Sequence, residues 1–374
     1  SAWVKIGADN QVTAIVPHSE MGQGAQTALS QMLADELNAD WQTVSFMEAP
    51  PEDEYANWAV GKGFLMGDAQ IPDALVPTVD GLFLQAVKAM HIQITGGSAS
   101  VRATGVYGMR VAGAAAREML IEAAADQWQV SASELTAENS YIVHAASGQR
   151  GEFAQFAQAA AQMTPSHTPT LKNPKDFKIM GQSVARLDIP AKVDGTAQFG
   201  IDAVLPGMKH AAIIGAPVFG AQVVNFDSSA AKQMAGVLDV ISLDNAVAVV
   251  ADGYWQAKQA LHAVQVEWSK TGHENVSSET LFAQFEKDLQ NARENGSAGE
   301  DVVVGDTAAA FAQADKVVEA TYKVPFLAHT TMEPMNATAQ VVDDQIEVWV
   351  GSQNPLGFRH EVADALGVDA AKVT

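Results

Sequence analysis

Cysteine is absent from all 374 residues. That excludes disulfides, thiolate zinc sites, cysteine nucleophiles and protein-ligated iron–sulfur clusters within the chain. It fixes no compartment, although it is compatible with an oxidising one. Basic residues are scarce: 22 Lys and Arg stand against 44 Asp and Glu, a net charge of −22. Phosphate backbones need a basic surface, so no nucleic acid is expected as a partner, and an anionic membrane surface is disfavoured. No apolar run approaches the ~20 residues that span a bilayer. The nine histidines are scattered without metal-ligand spacing, so no metal ligand is assigned to them. What is present is a normal hydrophobic fraction, 48%, enough for sizeable cores in two or three domains.

The chain is organised around His18-Ser19-Glu20-Met21-Gly22-Gln23-Gly24-Ala25-Gln26-Thr27. An apolar strand, Val12 to Val16, precedes it. A periodic helix follows, with Leu29, Met32, Leu33 and Leu37 on one face. A glycine pair at a strand-to-helix turn lets backbone approach a ligand closely, and the first helical N–H groups have no internal partner. A phosphate or an electron-rich ring finds donors there. Gly96-Gly97-Ser98-Ala99-Ser100 repeats the design after Ile92 and Ile94. A long helix follows, carrying Val111, Ala115, Met119, Leu120 and Ala123 on one face. Two such bends suggest a large anionic cofactor held mainly by backbone; each alone reads better as an ordinary strand-to-helix turn.

Taken in order, Val4 to Ile6 and Val12 to Val16 predict a hairpin, and Val44 to Phe46 another strand. Pro50 to Asp80 reads as loop. Its Gly61, Gly63 and Gly67 miss the dinucleotide fingerprint by one residue. Helices are expected from about Gly81 to Met90, up to Trp128, and over Phe153 to Met163. Residues 166–183, rich in proline, read as a linker between a first unit, 1–165, and a strand–helix alternation over 184–270. A polar connector, 271–300, carries one helix. In 301–374, Val302 to Val304 and Lys316 to Val324 read as strands, with Val318, Ala320, Tyr322 and Val324 on one face. Ala337 to Val342 and Gln345 to Val350 predict a hairpin across Asp343-Asp344. The last residues, Lys372-Val373-Thr374, read as the opening of a strand, so the domain is expected to continue. The expected fold class is α+β, with mixed sheets covered by helices and an α/β middle unit.

Four segments taken together resemble a known family. They are Glu20-Met21-Gly22-Gln23-Gly24, Gly96-Gly97-Ser98-Ala99-Ser100, Ala328-His329-Thr330-Thr331-Met332-Glu333-Pro334 and Gly351-Ser352-Gln353-Asn354-Pro355. They resemble the large subunit of the molybdenum hydroxylases, the xanthine oxidase family. The stretch Arg186-Leu187-Asp188-Ile189-Pro190 through Phe199 and Asp202 to Met208 resembles that family's hammerhead domain. The Gly-Gln-Gly segment comes first here, a permuted order that resembles isoquinoline 1-oxidoreductase beta subunits and membrane-associated aldehyde dehydrogenases.

The resemblance implies a molybdenum cofactor, molybdopterin cytosine dinucleotide. It implies that Gly22, Gln23 and Gly24 contact the pterin or dithiolene, and that Gly97, Ser98 and Ser100 contact the dinucleotide or pterin. It places Gln353 near the molybdenum oxo ligand and Glu333 in a motif near the cofactor channel. Hydroxylation of an N-heterocycle or oxidation of an aldehyde is the implied reaction: a glutamate base assists a metal-bound hydroxide. Implied partners are a small [2Fe–2S] subunit, required because this chain has no cysteine, with a cytochrome c subunit as a further candidate. A periplasmic or membrane-associated location follows from the same subfamily likeness. The family's Gly-Gly-Gly-Phe-Gly segment and its Gly-Val-Gly-Glu segment, which bears the catalytic glutamate, do not occur here and are expected beyond Val373. The resemblance is therefore to the N-terminal half, a molybdopterin-binding segment, 1–165, and the start of a second, 301–374. These residues alone are expected to be inactive. A non-catalytic binding or assembly protein on this scaffold is the competing reading. A phosphate-binding enzyme using Gly61 to Gly67 is the third.

Overall fold

The computed structural model describes residues 3–66, 69–296 and 304–374, with backbone only for Phe64 and residues 97–99. Strand β1 (Val4–Ile6) pairs antiparallel with β2 (Val12–Val16). Helix α1 (Ala25–Leu37) then carries the chain over to β3 (Val44–Glu48), which lies parallel to β2. A parallel neighbour requires such a crossover, and the helix supplies it. Leu29, Leu33 and Leu37 are fully buried, as the periodicity predicts.

Residues 50–80 are not a loop. They hold α2 (Trp58–Met66) and the beginning of α3 (Val76–Ala89). The glycines that lower the helical propensity of α2 serve packing instead. A Cβ at Gly63 would sit 2.7 Å from the Cβ of Ala103, on α4 (Gly97–Thr104). Gly61 likewise lies inside α2, and Gly67 falls outside the described residues.

One π-helical turn, Gly105–Met109, joins α4 to α5 (Arg110–Trp128). Helix α5 packs on α1 so closely that a Cβ on Gly113 would meet the Leu33 carbonyl oxygen at 2.4 Å. A meander of β4 (Leu135–Glu138), β5 (Tyr141–His144) and β6 (Gln149–Glu152) follows, then α6 (Phe153–Ala160). Phe153 and Phe156 are fully buried in the same core as α1.

The proline-rich segment after α6 is held down by buried carboxylates. Asp35 accepts backbone N–H bonds from Lys178, Ile179 and Met180 at 3.0, 2.8 and 2.7 Å, and an ion pair from Lys172 at 2.7 Å. Burial opposes the Asp35 charge, but Lys172 and these N–H groups outweigh it and hold the carboxyl below its ordinary range. Glu36 is matched by Arg110 at 2.6 Å and by the backbone N–H of Lys172 at 3.0 Å. Helix α7 (Ile189–Asp194) completes this part.

A second compact unit, Val204–Met332, is described by itself. Strands β7 (His210–Gly215), β8 (Val223–Asp227), β9 (Val237–Ser242), β10 (Ala246–Ala251) and β11 (Gln265–Trp268) form two antiparallel sheets, of orders β7-β10-β9 and β11-β8. Helices α8 (Ser229–Lys232) and α9 (Tyr254–Leu261) cover them, followed by α10 (Ser278–Asn295) and α11 (Thr307–Gln313). Lys316 to Val324 forms no strand. Its alternating face is bare, with Val318 79% and Tyr322 90% exposed. Alternation supplies a face, but no described strand lies alongside to complete a ladder. Residues 302 and 303 of the other expected strand, and Ser297 of the connector, lie outside the described residues.

Residues Glu333–Thr374 return to the first unit, Ser1–Ala203. Strands β12 (Ala337–Val342) and β13 (Gln345–Val350) form the expected hairpin, with Asp343 and Asp344 both left-handed at the turn. Helix α12 (Pro355–Leu366) follows, and Val373 opens a parallel bridge to Ile346. The fold is α+β throughout: small sheets of two or three strands beside helices. Among the described residues, no helix is long and apolar enough to cross a membrane.

Candidate cofactor site

The turn between β2 and α1 is built on two left-handed glycines, Gly22 at φ +93° and Gly24 at φ +79°. Nothing lies within 4 Å of the position a Cβ would take on either, so the backbone there is open to approach. Its N–H groups, however, already have an acceptor. The Glu20 carboxylate folds back and accepts from Gly22 at 2.8 Å, Gly24 at 2.9 Å and Gln26 at 3.2 Å. Arg186 locks this arrangement, donating to Glu20 at 3.1 Å and to the Gly22 carbonyl at 2.9 Å. It also forks onto Asp188 at 3.0 and 2.6 Å, and holds that carboxyl well below the usual range. Gln23 is exposed but turned inward on its own loop: its Nε2 donates to the Ser19 carbonyl at 2.9 Å and its Oε1 accepts from Met21 at 2.5 Å.

At the second bend, the fully buried Ser100 accepts the Gly96 N–H through its hydroxyl at 2.6 Å. Gly97 opens α4. The Ser98 side chain lies outside what is described.

Thr95, the residue before this bend, joins three of the sequence segments. Its backbone N–H donates to the Gln353 carbonyl at 2.7 Å, and its own carbonyl accepts from Gln353 Nε2 at 3.0 Å. Its hydroxyl accepts the Ser19 N–H at 3.0 Å. Ser19 in turn donates its hydroxyl to the Ser352 carbonyl at 2.6 Å. Beside them His18 is buried between the hydroxyls of Thr95 at 3.4 Å and Thr104 at 2.7 Å. Burial lowers its pKa from 6.5 to about 4, so it is neutral near pH 7. The turn at Gly22 to Gly24, the turn at Gly96 to Ser100 and the exposed Gln353 therefore belong to one hydrogen-bonded corner.

Glu333 lies elsewhere in the same unit. It accepts from the Ile201 N–H and from Asn336 Nδ2, both at 3.0 Å. It borders a cavity of about 740 Å³ that is also lined by Glu20, Glu48, Asp188, Lys192 and Arg359. Neither glycine bend nor Gln353 lines this cavity. Burial raises the Glu48 carboxyl above its ordinary value, against the opposing hydrogen bond from Gln26 at 2.7 Å. Four carboxylates face one ammonium and one guanidinium, a wall that does not favour a polyanion.

Residues 289–374 match the family model of the molybdopterin cofactor-binding domain. Isoquinoline 1-oxidoreductase subunit beta of Brevundimonas diminuta is 28% identical over an alignment covering 100% of this chain and 49% of that protein. A membrane-bound aldehyde dehydrogenase (pyrroloquinoline-quinone) of Gluconacetobacter polyoxogenes is 29% identical over 99% of this chain and 44% of that protein. The chain is similar to large subunits of the molybdenum hydroxylases. It spans about half the length of these curated relatives. The aldehyde oxidoreductase structure from Desulfovibrio gigas aligns at TM-score 0.35 and 17% identity, over 94% of this chain and 36% of that one, too distant to place any residue.

As a wall for the molybdenum hydroxylase cofactor, the corner around Thr95 fits in one respect and not in another. The open faces of Gly22 and Gly24, with an exposed amide at Gln353, suit the edge of a flat heterocycle. The N–H groups of Gly22, Gly24 and Gln26 at the entry to α1 do not suit a phosphate, because the negatively charged Glu20 already accepts from them. Sequence reasoning assigned no role to Thr95, His18, Glu20 or Arg186. The signals available were a hydroxyl residue directly before Gly96 and an acid two residues before Gly22. Neither announces its partner.

Proposed function

We propose that this chain supplies the Gly-Gln-Gly wall of a molybdopterin site in an oxidoreductase that hydroxylates an N-heterocycle or oxidises an aldehyde with oxygen from water. The observation that carries this reading is the convergence of the 19–24, 95–100 and 352–353 segments on Thr95. Residues separated by more than two hundred positions meet there, and all three segments belong to the motif set that resembles this family. When bound, the cofactor supplies two-electron redox chemistry at molybdenum. The chain's own part is to present the open glycine backbone at 22 and 24 to the ring, and to hold Gln353 in place through its two hydrogen bonds to Thr95. Gly97, Ser98 and Ser100 form the second contact, and the cytosine dinucleotide is the proposed form of the cofactor. Val204–Met332 is the proposed counterpart of the family's hammerhead domain.

In this reading electrons leave to a [2Fe–2S] subunit, since the chain holds no cysteine to bind a cluster. A cytochrome c subunit and a periplasmic or membrane-associated location belong to the same proposal, and the residues present here do not turn over by themselves.

The deciding experiment is metal and cofactor analysis of the whole protein co-expressed with a cysteine-bearing partner subunit. One molybdenum and one pterin per chain are expected, together with heterocycle or aldehyde oxidation. Thr95→Val is expected to reduce the molybdenum content. Recovery of pyrroloquinoline quinone in place of molybdenum, as one relative's name would have it, overturns the cofactor assignment. A folded full-length protein with neither group favours the non-catalytic binding role.

A further inference from the structure

The structure brings together two of the scattered histidines and one aspartate, none of which takes part in the hydrogen bonds that converge on Thr95. Asp53, His91 and His360 each present one ligand-type atom, and the three atoms lie within 4.8 Å of one another. They come from three separate segments: the 3-10 turn Asp53–Tyr55, the residue two positions beyond α3, and the middle of α12.

The surrounding backbone fixes these segments. His91 is held left-handed at φ +52°, an uncommon conformation for a non-glycine residue, with its N–H bonded to the Lys88 carbonyl at 3.0 Å. Asn57 N–H bonds to the Ile92 carbonyl at 2.8 Å, tying the 53–57 segment to this turn. Arg359, next to His360, donates to the Pro51 carbonyl at 2.8 Å and to the Ala370 carbonyl at 2.8 Å.

Within this frame the His91 Nδ1 is buried with no hydrogen-bond partner. A buried polar atom normally has one, so the omission calls for an explanation. The two imidazoles lie face to face, centroids 3.4 Å apart and planes at 15°, with the Asp53 carboxylate beside them. Two neutral imidazoles and one carboxylate are a common donor set for a divalent first-row metal ion.

We infer that Asp53, His91 and His360 form a binding site for a divalent transition-metal ion, zinc being the best match, with solvent completing the coordination. The ion replaces ring stacking by coordination in the plane of each imidazole, so the two rings fan apart on binding. It pins α12 to the turn after α3 and to the 51–57 segment. Its role is structural, and it is separate from the molybdenum reading, which can fail without affecting it.

The test uses cobalt(II) as a visible probe on chelator-treated protein. The expected result is one equivalent bound, with ligand-field bands that zinc(II) displaces. His360→Ala and His91→Asn are each expected to weaken binding by at least about tenfold. Asn tolerates the left-handed backbone at position 91, so that variant separates loss of a ligand from loss of fold. Asp53→Asn is expected to weaken binding less. His329→Ala, outside the cluster, leaves it unchanged. Metal-free thermal melts establish that each variant is folded. Absence of saturable cobalt binding in the native chain, or binding unchanged in a folded His91→Asn/His360→Ala double variant, overturns the assignment.

Discussion

Gln353 and Thr95 are bonded to each other twice, backbone to backbone at 2.7 Å and side chain to backbone at 3.0 Å, across 258 positions of sequence. The second bond is the one that fixes the Gln353 side chain. Gln353→Ala removes it and leaves the Thr95 carbonyl without that donor. We expect a loss of about 1 kcal/mol of stability, read as a shift in urea midpoint with unchanged slope. In the assembled protein the cofactor content should fall further than this modest loss explains. Equal cofactor content in native and variant protein would remove Gln353 from the proposed wall.

The Arg186 guanidinium stands between two carboxylates, Glu20 and Asp188, whose side chains are each only 3% exposed. Arg186→Met leaves both charges facing each other, with Lys192 alone to balance Asp188 at 2.7 Å. Arg186 is itself 31% exposed, which discounts the cost to about 2–3 kcal/mol. Adding Glu20→Gln and Asp188→Asn should restore at least half of that. Denaturant unfolding of the three proteins checks it. No recovery in the triple variant would show that the guanidinium acts by shape instead of charge.

His18 makes stability depend on pH. Its pKa is about 4 when folded and 6.5 when unfolded, so the unfolded chain binds the proton more readily in between. Stability contributed by the neutral ring is complete above pH ~6.5 and is lost progressively as the pH falls through this window towards 4. The full difference is about 3 kcal/mol. His18→Gln, which can still bridge Thr95 and Thr104, should flatten the curve between those limits. A variant whose stability falls as steeply with acid as the native chain would locate the acid sensitivity elsewhere.

Gly113 allows α5 to touch α1. Gly113→Ala places a methyl 2.4 Å from the Leu33 carbonyl oxygen and 3.0 Å from the Glu36 Cβ. Because the first of these is backbone, the helices must separate, and we expect a loss of about 2–3 kcal/mol. Thermal melting measures it. The intrinsic helix preference of alanine, about 1 kcal/mol in the other direction, would dominate only if the close approach were absent.

Several elements were legible in the sequence because their cause is local. The α1 face at Leu29, Leu33 and Leu37, the hairpin turning at Asp343-Asp344 and the cap-like turn at Gly22 to Gly24 each follow from spacing or from a residue's own backbone preference. Helix α2 was not legible, because Gly61 and Gly63 signal a turn locally, while close packing against α4 is what placed a glycine at position 63. The strand expected over Lys316 to Val324 failed for the converse reason: its alternation is local, but a ladder needs a neighbour. The motif residues were visible in the sequence, whereas their junction at Thr95 was not.

Composition and short-range pattern alone determined that this chain carries no thiolate chemistry, that it is acidic, and that it turns twice through glycine at the mouth of a helix. Only the folded backbone decided that the Glu20 carboxylate accepts from the N–H groups of Gly22, Gly24 and Gln26, that Thr95 joins Ser19 to Gln353, and that Asp53, His91 and His360 share one small volume. The physical reason is range. Dihedral preference and hydrophobic period act over a few residues and are written into each segment. A hydrogen bond between positions 95 and 353 exists only after the first unit has folded and brought those segments together.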